Sequence, residues 1–173
     1  MRIAILTISD AGARGERADT SGDAVQQWAT ARGYDISARE LVPDETVRIV
    51  STLCAWCDSG DVDLVLTTGG TGLSPRDVTP EATRAVIERD APGIAERIRA
   101  LSLETFPRAA LSRGLAGTRK RTLIINLPGS PSGVKDGLAA LNPIVDHAIA
   151  VLRADTLDHD APVHSSTVPP SQR

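Results

Sequence analysis

Thr67-Thr68-Gly69-Gly70-Thr71-Gly72-Leu73-Ser74-Pro75-Arg76-Asp77-Val78-Thr79-Pro80-Glu81-Ala82-Thr83 is the stretch on which the reading of this chain turns. An apolar run, Val62 to Leu66, stops just before it, and a helical pattern begins as it ends. Between the two lie Gly69, Gly70 and Gly72, several hydroxyl side chains, Arg76 and Asp77. A strand, a glycine turn and a helix in that order make the repeating unit of a parallel α/β sheet. Consecutive glycines let backbone N–H groups approach an anion closely, and here a cation and a carboxylate stand beside them. A tight turn needing positive φ would use the same glycines, so both readings are open at this point.

Working outward, the same alternation continues. Arg2 to Ile8 is a β-branched, apolar run, read as a buried strand, followed by a polar loop from Ser9 to Arg17. Thr20 reads as a helix N-cap with Asp23 in the capping-box position, and Gly33 closes that helix. Asp35 to Val42 reads as a strand and Glu45 to Asp58 as a helix with an apolar stripe. Thr79 is expected to cap the helix that follows the glycine loop, with Pro80 at its first position and its end near Arg89. Another helix is expected from Ile94 to Leu103. Ala109 to Arg119 is ambiguous and could include a strand. Thr122 to Leu127 is a strand, and one long helix capped by Ser130 and kinked at Pro143 should follow.

The expected fold is therefore α/β, a three-layer α/β/α domain with a mostly parallel sheet. Residues 1–154 form the domain, and 155–173, polar and Pro-rich, read as a flexible tail. In such sheets ligands bind beyond the carboxyl ends of the strands. Four loops bearing polar residues or glycine sit at such ends: Ser9-Asp10, Pro43-Asp44, Gly69 to Asp77, and Asn126 to Ser130. They should converge on one rim.

Composition removes several function classes. The chain of 173 residues carries a net charge of −3 and 2% aromatic residues, with no basic run, which gives no reason to expect nucleic-acid binding. No apolar stretch approaches the length of a membrane span and the start does not resemble a signal peptide, so no membrane partner and a cytoplasmic location are expected. Cys54 and Cys57 form a single C-x-x-C late in a helix, without further ligands at zinc spacing, and read as core residues. The glycine loop lacks the lysine of a Walker loop, and Pro75 occupies the third glycine position of a dinucleotide fingerprint.

The aspartates carry more chemistry. If Thr79 caps the helix, Asp77 is left over beside the glycine loop, where Mg²⁺–phosphate sites keep one or two carboxylates. Asp44 could cap the helix beginning at Glu45 or serve the rim, and Asp10 has the same two options. Asn126 could read a ligand or tie loops together. Ser130 caps a helix whose N-terminus could also receive a phosphate.

Four runs now stand together in order: Leu41 to Glu45, Thr67 to Thr83, Ala110-Leu111-Ser112-Arg113, and Asn126-Leu127-Pro128-Gly129-Ser130-Pro131. They resemble the molybdopterin adenylyltransferase family of molybdenum-cofactor biosynthesis, the Mog type, which is similar to the G domain of gephyrin. The Arg76 to Thr83 run looks like the adenylyltransferase branch rather than the related MoaB branch. The resemblance implies transfer of AMP from Mg-ATP to the terminal phosphate of molybdopterin, with release of pyrophosphate. It also implies a homotrimer and transient contact with the enzyme that inserts molybdate. On matching positions it assigns Asp44 and Asp77 to catalysis and Mg²⁺. Ser9, Asp10, Thr68, Gly69, Gly70, Thr71, Gly72 and Thr79 fall to the nucleotide, and Ser112, Asn126, Pro128, Gly129 and Ser130 to the pterin. A MoaB-like binding protein and a trimeric scaffold are the alternatives.

Overall fold

The computed structural model describes residues 1–153. In chain order the elements are β1 (Arg2–Ile8), α1 (Asp10–Ala13), α2 (Thr20–Ala31), β2 (Asp35–Val42), α3 (Thr46–Ser59) and β3 (Leu64–Thr68). There follow α4 (Thr79–Val86), β4 (Arg89–Asp90), α5 (Pro92–Leu103), a 3₁₀ turn (Pro107–Leu111), β5 (Ala116–Arg119), β6 (Thr122–Leu127), α6 (Pro131–Leu141) and α7 (Val145–Arg153). The expected tail, 155–173, lies outside the described residues.

The six strands form one sheet in the order β2-β1-β3-β6-β5-β4. The first four run parallel; β5 runs against them, and the edge strand β4, antiparallel to β5, runs with them again. Parallel strands are covered on both faces and so read as continuous apolar runs; Leu64 to Thr68 and Thr122 to Leu127 are buried throughout. Alternate residues feed two cores. Ile3, Ile5, Leu64, Leu66, Leu123 and Ile125 pack against α2, α5, α6 and α7. Ala4, Leu6, Ile8, Val65 and Ile124 pack against α3 and α4. This is the expected three-layer α/β/α fold.

Several expected boundaries move, each for a physical reason. Asp19, not Thr20, caps α2: its carboxylate accepts from the Gly22 N–H at 2.8 Å, and Asp23 instead accepts from Arg39. The loop from Ser9 contains the short α1, capped by the Ser9 hydroxyl. β3 starts at Leu64 and includes Thr67 and Thr68, because its two threonines pair with β1 and β6. Val78 occupies the cap position of α4, and Thr79 lies inside the helix. That helix ends at Val86, freeing Arg89 and Asp90 to pair with β5. The ambiguous 109–119 segment resolves into the end of the 3₁₀ turn, a strap and β5. Pro143 breaks the last helix in two rather than kinking it. Ser130 caps α6 as expected, accepting from the Gly133 N–H at 3.2 Å.

Cys57 is buried in the second core and Cys54 packs at its margin, both as free thiols. Burial pushes the Cys57 thiol up from 9.0 to about 11. A raised folded value means that this thiol's contribution to stability is complete below pH 9.0 and is lost as pH rises through about 11. We therefore expect Cys57 to resist an aromatic disulfide reagent at pH 8 until the protein unfolds, and Cys57→Ala to cost about 1 kcal/mol of stability. Rapid labelling of Cys57 in the native protein would contradict the core assignment.

Candidate functional site

β2 flanks β1 on one side and β3 on the other, so strand order reverses at β1. The carboxyl ends of β1, β2, β3 and β6 share one edge of the sheet. All four predicted loops therefore meet there, and the crevice opens where the strand order reverses.

Gly69 and Gly70 make this approach possible. Their φ angles are +98° and +62°, a region that residues other than glycine seldom enter. A Cβ at Gly69 would overlap the backbone carbonyl oxygen of Ile8 at the end of β1. A Cβ at Gly70 would overlap the Thr79 hydroxyl and stand 2.9 Å from Asp44 Oδ1. Thr79 is fully buried; its hydroxyl donates to the Gly69 carbonyl at 3.0 Å. Its role is to fasten the turn.

Asp44 does not cap α3, because Glu45 takes the cap position without a side-chain bond. Instead Asp10 and Asp44 bond reciprocally. The Asp10 N–H donates to Asp44 Oδ2 at 2.9 Å, and the Asp44 N–H donates to Asp10 Oδ1 at 3.0 Å. Arg76 then grips Asp10 with two parallel bonds, both at 2.9 Å. The Arg76 fork holds the Asp10 carboxyl below its usual range. Asp44 goes the other way: burial, then the Asp10 and Asp77 charges, raise it.

Asp77 is not spare for the reason expected. Thr79 is no cap, and Asp77 Oδ2 accepts from the Ser74 N–H at 2.9 Å within its own turn. One oxygen of each aspartate is thus committed to a loop N–H. Asp44 Oδ1 and Asp77 Oδ1 receive no protein hydrogen bond among the described residues.

Two cavities meet at Asp77. The first, about 330 Å³, is lined by Ser9, Asp44, Thr68, Gly69 and Arg17 among others. The second, about 480 Å³, is lined by Thr71, Gly72, Phe106, Arg108, Ser112 and Pro128 among others. Gly70, Asp77, Gly129 and Ser130 belong to both walls and form the ridge between them. The ridge is tight, since a Cβ on Gly129 would sit 3.1 Å from the Gly69 Cα. Thr68 and Ser21 hold its far side by donating to the carbonyls of Pro128 and Gly129 at 2.7 and 2.8 Å.

Three of the predicted residues stand behind the walls rather than in them. Asp10 is occupied by Arg76 and Asp44, and Thr79 by Gly69. Asn126 is buried, its amide donating to Thr67 and Thr83 while its oxygen accepts from the Leu115 N–H. Sequence reasoning gives no part to Arg17, Phe106, Arg108 or Ser102. The Ser102 hydroxyl is buried in the second cavity's wall without a partner among the described residues. Arg113 enters the sequence reading only as part of a run, and it bonds directly to the glycine loop.

No cluster of three or more His, Cys, Asp or Glu among the described residues could hold a metal alone. Asp44 and Asp77 do fit a hard cation that takes its remaining ligands from phosphate and water, because both line the first cavity and each keeps an oxygen without a hydrogen bond among the described residues.

A family model described as "Probable molybdopterin binding domain" matches residues 4–147. The molybdopterin adenylyltransferase of Escherichia coli K12 is 43% identical over 141 residues, covering 80% of this chain and 72% of that protein. The Helicobacter pylori J99 protein of the same name is 39% identical over 156 residues, 88% of each chain. The crystal structure of the molybdopterin biosynthesis enzyme MoaB from Thermus thermophilus superposes with a TM-score of 0.84 at 50% identity, covering 88% of this chain and 96% of that one.

The geometry sets two stability outcomes. Gly69→Ala should cost about 3 kcal/mol or more, since it adds both a strained φ and an overlap with Ile8. A raised carboxyl such as Asp44 stabilises below the unfolded value of about 4 and loses that contribution as pH rises. Asp44→Asn should therefore leave the ligand-free melting temperature at pH 7 equal or higher, and a marked fall would show that the ionised form is needed for folding.

Proposed function

The chain belongs to the family of molybdopterin-binding domains, and on that premise we propose that it is a molybdopterin adenylyltransferase. The observation that carries the reading is the ridge: two cavities of unlike character meet at Gly70, Asp77, Gly129 and Ser130. A reaction that joins two large substrates through their phosphates needs this arrangement. The nucleotide is assigned to the cavity beside Gly69, Ser9 and Thr68. The pterin is assigned to the one beside Ser112 and Pro128, where Phe106 and Arg108 line the wall and the Ser102 hydroxyl has no partner among the described residues. The phosphates of both meet over the ridge.

The chemistry is an exchange at phosphorus. An oxygen of the molybdopterin phosphate forms a bond to the α-phosphorus of ATP. The bond from that phosphorus to the bridging oxygen breaks, and the electron pair leaves with pyrophosphate. The attacking oxygen is already an anion, so no base is required. The protein must align the two phosphates and offset their repulsion. Backbone N–H groups of the glycine loop and the Arg17 guanidinium supply positive charge on the nucleotide side. Asp44 and Asp77 would hold Mg²⁺, which when bound neutralises charge on the phosphates and their leaving group. Asp10, Arg76, Thr79 and Asn126 support the site from behind. On the same reading the protein is a cytoplasmic homotrimer that passes its product to the molybdate-inserting enzyme in a transient contact.

A MoaB-like role as a pterin-binding protein has one observation in its favour, the 50% identity to a structure of that name. Turnover separates the two. Purified protein with molybdopterin, ATP and Mg²⁺ should release pyrophosphate and form adenylyl-molybdopterin. Asp77→Asn and Asp44→Asn should each reduce kcat by about 100-fold or more while the fold is retained. Wild-type turnover in both variants would remove the aspartates from the mechanism.

A further inference from the structure

We propose that Arg113 is the positioning residue that holds Asp77 on the ridge, an inference that rests on the catalytic reading of Asp77. Arg113 lies on the strap between the 3₁₀ turn and β5, next to Ser112. From there its backbone N–H donates to the Thr71 carbonyl at 2.8 Å. Its Nε donates to the Gly72 carbonyl at 2.7 Å, its Nη2 to the Asp77 carbonyl, and its Nη1 to the Glu81 carboxylate. One half-buried side chain therefore touches the start of the loop, its end, and the first turn of α4.

Thr79 ties the base of the loop, through its hydroxyl to the Gly69 carbonyl and its N–H to the Gly70 carbonyl, and beyond that base the loop has few other ties. Leu73, Ser74, Pro75 and Arg76 are exposed, and Leu73, the apolar residue that could anchor it, is 65% exposed. The Ser74–Asp77 bonds are internal to the turn and fix its shape, not its place. Arg76 reaches Asp10 through a side chain that is 60% exposed. The guanidinium of Arg113 is what spans the gap between Gly72 and Asp77. The planar guanidinium reaches Gly72, Asp77 and Glu81 from three separate nitrogens in one fixed geometry, which the single nitrogen of a lysine on a flexible stem does not reproduce. Because Ser112 lines the second cavity, the same strap links the pterin wall to the aspartate of the ridge. Arg113 thereby sets the distance between the two substrate sites without touching either substrate.

The test uses the full chain with Arg113→Ala and Arg113→Lys. In ligand-free protein, amide exchange at 71–77 should accelerate by about tenfold or more in both variants, while the strands β3 and β6 keep their protection. In turnover, kcat should fall by about 100-fold, as for an aspartate displaced by about an ångström. KM values for ATP and molybdopterin should rise by much less than kcat falls, since Ser9, Thr68, Ser112 and Pro128 line the two cavities from outside the loosened loop. Added guanidinium should restore part of the rate to Arg113→Ala and none to Asp77→Asn. Unchanged loop exchange with a retained kcat would overturn the inference. Loss of protection across β3 and β6 in both variants would also overturn it, by making Arg113 a general stability residue. If the wild type itself makes no adenylyl product, the catalytic reading fails, while the exchange measurement still decides the clamp.

Discussion

The structure depends on a contact that allows no side chain: Gly69, in a left-handed turn, lies against the carbonyl oxygen of Ile8. That contact folds the loop after β3 back over the end of β1. Gly70 can then reach Asp44, and Gly69 can meet Gly129 across the ridge. With a Cβ at this position the loop would have to lift. Asp77 would leave the rim, and the two cavities would lose their common wall.

Around this turn the protein collects negative charge and then manages it. Asp10, Asp44 and Asp77 stand near one another, and Arg76 is spent on Asp10 through a bidentate pair. That leaves Asp44 partly desolvated beside like charges, which raises its proton affinity. Such an arrangement is costly for a ligand-free fold and useful for a site that takes a cation and phosphates. The hydrogen bonds are divided accordingly. Asp44 uses one oxygen on the Asp10 N–H of the neighbouring loop and Asp77 uses one on the Ser74 N–H of its own turn, while the other oxygen of each receives no hydrogen bond among the described residues. Arg76 and Arg113 hold the loop from two sides, one through Asp10 and one through the carbonyls of Gly72 and Asp77.

Much of this is legible in the sequence because parallel strands write themselves as apolar runs, and the residue after each run marks one edge of the sheet. Asp44, the glycine turn and the Pro128-Gly129-Ser130 loop are found that way. Local capping rules mislead where tertiary bonds win. Thr79 turns its hydroxyl to Gly69 instead of capping α4, so the sequence singles out Asp77 through a step that the structure removes. Asn126 ends a strand as a ligand-reading amide would, yet it is spent on Thr67, Thr83 and Leu115. Arg113 is beyond reach in a different sense. Its side-chain partners lie 32 to 41 positions away, and such a bond leaves no period or spacing to read. The second cavity's Ser102 hydroxyl belongs with it, since an unpartnered buried group is a property of packing alone.

The most direct test of the central claim, that chemistry occurs at the ridge between two cavities, is a crystal structure of the protein with Mg²⁺, molybdopterin and an ATP analogue that cannot be cleaved between its α- and β-phosphates. The account predicts the nucleotide beside Gly69 and Ser9, the pterin beside Ser112, and the α-phosphate over Gly70 within reach of Asp44 and Asp77. Both ligands in one cavity, or an α-phosphate remote from Asp77, would contradict it.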